Sequence, residues 1–330
     1  MMYFKLILST LLFSSVNCFN GLAQIPYPSI TAKRTGTVNS YSPDPIINYT
    51  WPSPKVSDGL EQYVLQPISH STTDNESFDF SKYKQDNIIG INGKGTLRFD
   101  FGSVSAGWLE FESDDLQDSI TLSISEYNEP AVVNNGAVNP VKTKAPVKHG
   151  NTYRLELNPE LYEGVRFGWL NVNFHRQNWH IKNLRLVCQV KPVNYQGSFS
   201  CSDSILTRTW YTGAYTVKLN LQKDYFGAIL MERSDRHSWT GDAYPSQAAS
   251  MVAFGNYDFV KKNLINTSGL NNGIASYSLY WVLSLIDYYN YTGDINFVRK
   301  YTENACVKLD TAFLHFGKAP GLNFMVGTSD

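Results

Sequence analysis

Little in this sequence points to a membrane, a nucleic acid or a cofactor. Past the first two dozen residues there is no apolar run long enough to cross a bilayer. The 28 Lys and Arg against 29 Asp and Glu leave a formal net charge of -1, so there is no basic surplus of the kind a phosphate backbone attracts. There is no Gly-rich phosphate loop, no Gly-x-Ser-x-Gly and no His-Glu-x-x-His, and His70, His149, His175, His180 and His315 lack metal-ligand spacing. The sequence therefore calls for no metal, no cofactor, no nucleic acid and no membrane span. Cysteine is scarce, with four in 330 residues. Cys18 lies in a segment that processing would remove, and Cys188, Cys201 and Cys306 are an odd number that cannot all pair. A Cys188–Cys201 bridge and buried free thiols are the alternatives, with thiols the preferred one.

What is present begins with a signal peptide. Lys5 supplies the positive start, Leu6 to Val16 is an apolar stretch too short to span a bilayer comfortably, and Gly21-Leu22-Ala23 offers small residues before a mature start at Gln24. A secreted or extracytoplasmic location follows. Asn48, Asn75, Asn266 and Asn290 open triplets of the N-glycosylation type. Aromatic residues reach 14%, with 21 Tyr and 7 Trp, a stock that serves either as core packing or as platforms for sugar faces.

The texture divides the chain. Residues 24–60 are rich in Pro, Ser, Thr and Asn and read as an extended lead-in. From 61 to 195 short alternating runs, such as Thr96 to Phe101, Gly107 to Phe111 and Ser119 to Ile124, predict half-buried antiparallel strands and a β-sandwich, with Trp108 and Trp169 in its core. Asn128 to Gly150 reads as a long polar loop. From 196 to 330 the period becomes helical. Five helices are expected. Ser202 caps the first, Asp242 the second (running to Phe254), and Asn256 the third (to Leu264). The fourth runs from Ser276 to Thr292, with Leu279, Val282, Leu283 and Ile286 as its apolar face. Asp294 caps the fifth, which carries Phe297, Tyr301, Ala305 and Leu309 to Gly317. Short links imply antiparallel hairpins of helices.

The chemistry-bearing stretch is Met231 to Asp242, in the link between two apolar helices. It packs Glu232, Asp235, Asp242, Arg233, Arg236, His237 and Trp239 into twelve residues. Carboxylates and guanidiniums grip hydroxyls, an indole covers an apolar sugar face, and a carboxylic acid protonates a leaving oxygen. The same charges would also serve as a salt-bridged lock between helix pairs, and composition leaves the two readings even.

The run Arg233-Ser234-Asp235-Arg236-His237-Ser238-Trp239-Thr240-Gly241-Asp242-Ala243 resembles the signature of the α-L-rhamnosidases of glycoside hydrolase family 78. Phe99-Asp100-Phe101-Gly102 with Ala106-Gly107-Trp108 is similar to that family's strand pair. Tyr162 to Phe167, Gly197 to Asp203, and Asp287 to Asp294 follow in the family's order. The resemblance spans roughly residues 90 to 300. It implies a β-sandwich followed by an (α/α)6 six-hairpin barrel, of which this chain carries the first part, and hydrolysis of terminal α-L-rhamnosides with inversion. Carried over by position, Asp235 is the general acid, and Asp242, Trp239, Arg233 and Arg236 surround a carbohydrate substrate, with Glu232 and His237 beside them.

Three departures stand out. The acid position holds Asp where the family has Glu. Ile229 stands where the family places a sugar-gripping aspartate. The general base comes from a later part of the barrel than this chain reaches, so no residue is assigned to it and the chain is expected to be a fragment. These departures keep open a non-catalytic secreted carbohydrate-binding protein on the same scaffold, and a purely structural secreted sandwich.

Overall fold

The computed structural model describes residues 60–128, 143–157, 163–222, 224–227, 238–270, 272 and 274–318. The signal peptide and nearly all of the lead-in lie outside them. Among the described residues eleven strands form one antiparallel sheet: β1 (Glu61–Leu65), β2 (Ser69–Thr72), β3 (Phe78–Asp79), β4 (Ile88–Ile91), β5 (Gly95–Glu112), β6 (Ser119–Ser125), β7 (Thr143–Lys144), β8 (Val147–His149), β9 (Thr152–Arg154), β10 (Glu163–Phe174) and β11 (Trp179–Val190). A one-turn helix, α1 (Tyr83–Asp86), precedes β4. The expected long loop after Asn128 is shortened, because Thr143–Lys144 pairs with β6 and Val147–His149 with β9.

β5 organises the sheet. Along one edge it pairs with β10 as far as Gly107 and then with β9, and along the other with β2 and then β11, so one strand serves both halves of the sheet. The two family-like pieces around Asp100 and Trp108 therefore share a single strand and are not a strand pair. The change of partners needs a bend. Gly102 supplies it with a φ of 85° that costs a residue without Cβ nothing, and β10 shifts register between Val165 and Phe167 opposite. Asp100 fixes the bend: one carboxylate oxygen accepts from the Gly102 amide (2.7 Å) and Arg166 Nε (3.1 Å), the other from Arg166 Nη2 (3.2 Å). At Gly107 a Cβ would lie 2.1 Å from the Val187 carbonyl oxygen, so glycine is required where β5 and β11 approach.

Alternating side chains from β5, β10 and β11 fill one core, in which Leu97, Phe99, Phe101, Phe111 and Trp179 are buried. Trp108 and Trp169 are also buried, as expected. The Glu110 carboxylate, fully buried, is held by Arg185 at 2.6 Å, Arg154 at 3.3 Å and the Trp108 indole N–H at 2.9 Å. A buried carboxylate so surrounded has its desolvation offset.

Among the described residues six helices follow: α2 (Ser204–Leu219), α3 (Thr240–Ala253), α4 (Tyr257–Thr267), α5 (Ala275–Thr292), α6 (Ile295–Lys300) and α7 (Thr302–Lys318). The cap of α2 is Asp203, not Ser202, because its carboxylate accepts from the Ile205 and Leu206 amides. α3 starts two residues before Asp242, which sits in its first turn instead of capping it. α4 extends three residues past Leu264. α5 ends as expected at Gly293, left-handed at φ 69°. The fifth helix is broken at Tyr301 into α6 and α7, with Asp294 as the cap of α6.

Successive long helices run antiparallel, so α3 and α5 are parallel neighbours with α4 returning beside them. Asp242 meets Tyr277 at one end, and Gln247 donates to the Ser284 carbonyl at 3.1 Å further along. The buried side of α5 is Ser278, Trp281, Ser284, Leu285 and Tyr288; of the expected stripe Val282 packs against this core, while Leu283 and Ile286 are exposed. A period-3.6 pattern marks a face but not its partner, and aromatics one position round took the burial. Leu309 is likewise exposed, while Lys308 and Ala312 turn inward.

The sheet docks on α2, where the Tyr215 hydroxyl donates to the Val104 carbonyl at 3.0 Å and Leu219 packs on Ala106. The linker then closes α3 from behind: the Gln196 and Gly197 amides donate to the Ala253 carbonyl at 2.9 and 3.1 Å. A Cβ on Gly197 would meet the Val252 carbonyl oxygen at 2.2 Å. The three described cysteines are free, Cys188 buried, Cys201 half-buried and Cys306 exposed, so burial holds for Cys188 alone.

Candidate active site

The chemistry-bearing segment ends on the first turn of α3, and its geometry there rests on two side chains from elsewhere. Asn272, at φ 55°, accepts from the Thr240 amide (2.9 Å) and hydroxyl (2.7 Å) and donates to the Ser238 carbonyl (3.0 Å). Asparagine tolerates the left-handed region better than most residues, and its amide bridges both sides of Trp239. Trp239 itself occupies the cap position of α3 with extended backbone and no capping bond from its side chain.

Gly241 makes room for Tyr277 of α5, whose ring would lie 2.3 Å from a Cβ there. The ring meets the Trp239 indole edge to face, with centroids 6.2 Å apart at 89°. Its hydroxyl donates to Asp242 Oδ2 at 2.9 Å. Asp242 is exposed and keeps acceptor capacity for a hydroxyl-bearing ligand. Further along the same helix pair, Tyr280 lies 6.4 Å from Tyr277 and stacks on Tyr244 of α3 at 5.3 Å and 20°. Burial pushes the Asp287 carboxyl above its ordinary range, opposed by a hydrogen bond from Tyr244.

Of the residues expected to form the site, Trp239 and Asp242 are brought together on one tyrosine. Glu232, Arg233, Asp235, Arg236 and His237 lie outside the described residues, as does Ile229. Tyr277 and Asn272 escaped the sequence reading, because nothing local ties them to a segment more than 30 positions upstream. Among the described residues no cluster of His, Cys, Asp and Glu is disposed to hold a metal ion, and no helix is long and apolar enough to cross a membrane.

No protein-family model matches the chain, and no curated protein matches it. Solved structures do. A rhamnosidase from Klebsiella oxytoca with rhamnose bound superposes with a TM-score of 0.62 at 16% identity, covering 81% of this chain and 59% of that one. The fold is that of rhamnosidase structures. A GH78 family rhamnosidase of Bacillus sp. GL1 gives 0.54 at 19% identity, over 68% of this chain and 25% of that one. The α-L-rhamnosidase from Dictyoglumus thermophilum gives 0.53 at 16% identity, over 77% and 29%. At such identities the likeness is one of fold, and this chain spans less than two thirds of each of these proteins.

Proposed function

We propose that this chain is a glycoside hydrolase of the α-L-rhamnosidase type, taking terminal α-L-rhamnosides into a site at the start of α3. Its helices would be the first part of an (α/α)6 barrel. The observation that carries the reading is the Trp239–Tyr277–Asp242 constellation: an indole edge, a tyrosine and an exposed carboxylate held together on two packed helices. Sugars need that combination, with an apolar surface for ring carbons and a fixed acceptor for hydroxyls. A salt-bridged lock between helices would not leave Asp242 exposed with a neutral phenol as its partner.

In this reading Asp235 donates the proton to the departing glycosidic oxygen as the bond breaks. Asp242 and Trp239 orient the sugar, with Arg233, Arg236, Glu232 and His237 completing the pocket. Inversion requires a second carboxylate about 6.5–9.5 Å from the acid to activate water, and no residue of this chain is assigned that task.

The test is release of an aryl alcohol from an aryl α-L-rhamnoside by a full-length version that carries the later part of the barrel, and by its Asp235→Asn variant. Loss of about a hundredfold or more in the variant supports the acid role. Undiminished turnover removes Asp235 from the chemistry. Rhamnose binding by that full-length version with no release of product would favour the non-catalytic sugar-binding protein instead.

A further inference from the structure

On the flank of α5 turned away from Asp242 lies a cavity of about 360 Å³ between the end of α4, the start of α5 and α7. Its most unusual wall is Lys308. This lysine is only 6% exposed, yet it makes no ion pair with any described residue. Its ammonium donates to the Leu270 carbonyl and lies 5.2 Å from the centroid of the Trp281 ring. One backbone oxygen and a ring face leave most of the cost of burying a cation unmet. Burial accordingly pushes its pKa down to about 8.

The rest of the lining says what would meet that charge. Ser278, Asn304 and Thr311 bring hydroxyl and amide groups to the wall, and Glu303 brings a carboxylate. The Thr311 hydroxyl donates to the Val307 carbonyl at 2.7 Å, so its oxygen is left to accept from a ligand hydroxyl. Val307 adds apolar surface. A buried ammonium with no carboxylate paired to it, and several neutral polar groups around it, suits a singly charged anion rich in hydroxyls. A phosphate, with nearly two charges, would find one ammonium and a repelling carboxylate. The volume is within the range of small-ligand pockets and admits a single pyranose ring.

We propose that the cavity beside Lys308 is a binding site for a small hydroxylated carboxylate, of the size and polarity of a sugar acid. The ligand carboxylate pairs with the Lys308 ammonium, and its hydroxyls exchange hydrogen bonds with Asn304, Thr311 and Glu303. This site is separate from the one at Asp242 and does not depend on the activity proposed for it.

Calorimetric titration of the full chain with D-glucuronate, D-glucose and inorganic phosphate tests it, with no turnover involved. Glucuronate is expected to bind at least about tenfold more tightly than glucose or phosphate. Lys308→Met is expected to abolish that preference. Val307→Trp, at a position 58% exposed, is expected to fill the cavity and weaken glucuronate without touching the cation. Thermal melts establish that each variant is folded, and if Lys308→Met is not, Val307→Trp decides alone. Equal binding of glucuronate and glucose, tighter binding of phosphate, no binding of glucuronate at about 10 mM, or glucuronate affinity unchanged in the folded variants overturns the proposal.

Discussion

The Tyr277 hydroxyl holds Asp242 at 2.9 Å, across two helices and 35 positions of sequence. The bond fixes the rotamer of an exposed carboxylate that water would otherwise leave free. The same ring closes over Gly241 and meets Trp239, so one side chain of α5 sets the positions of three consecutive features of the motif.

Removing only the hydroxyl separates the two tasks of Tyr277. Tyr277→Phe keeps the ring packing and is expected to alter stability by less than about 1 kcal/mol, as befits a partly solvated hydrogen bond. Rhamnose affinity is expected to fall roughly tenfold, since Asp242 would then have to be ordered on binding. Calorimetry with rhamnose beside a thermal melt measures both; an unchanged affinity would remove Tyr277 from sugar recognition.

Gly241→Ala sets two effects against each other. Alanine favours the helix by up to about 1 kcal/mol, but its methyl would press on the Tyr277 ring, and overpacking of this kind costs about 1–3 kcal/mol. The clash is expected to win and lower the melting temperature. In Tyr277→Ala the obstacle is gone, so the same change should become neutral or stabilising. A double-mutant cycle of melts reads this as a coupling of opposite sign to the single effect.

Asn272 is expected to matter more than its place in a link suggests. Asn272→Ala loses three hydrogen bonds and places a less tolerant residue at φ 55°, and a destabilisation of about 2–4 kcal/mol is expected. Asn272→Gly relieves the backbone but not the lost bonds and should recover only part of it. Chemical denaturation of the pair measures the split; full recovery in the glycine variant would mean that the bonds to Thr240 and Ser238 contribute nothing.

Burial pushes the pKa of Lys218, under the linker, down to about 8 from its usual 10.5. The folded chain therefore releases this proton at lower pH than the unfolded chain does. Between those limits the unfolded state binds more protons, so stability rises with pH. Measured against Lys218→Met, the wild-type chain is expected to gain roughly 1–2 kcal/mol between pH 7.5 and 9.5. Denaturation curves across that window give the difference, and a flat one would mean that the ammonium is well solvated.

Much of the fold was legible because periodicity is local. Alternation in Thr96 to Phe101 marks a strand whichever strand it pairs with, and Gly293 ends a helix by its own backbone. What could not be read was partnership. Leu283 and Ile286 share a face with proper spacing, yet Leu285 and Tyr288 take the core, since choosing among faces depends on helices far away in sequence. The same holds for Asp100 and Trp108, whose placement on one bent strand depends on Gly102 and on β10 opposite. At the candidate site, residue types singled out Trp239 and Asp242, but Asn272 and Tyr277, which hold them, come from the next hairpin, and no spacing rule links them.

Helix α3 is tethered at both ends, by the Gln196–Gly197 amides on its last carbonyl and by Asn272 on its first turn. Such an element behaves as a strut. A helix resists axial compression through every rung of its ladder, so a displacement at the linker is delivered lengthwise to Asp242, about 17 Å away at 1.5 Å per residue. Load at the linker would thus register at the carboxylate as a change of position, before any contact near the carboxylate had been disturbed.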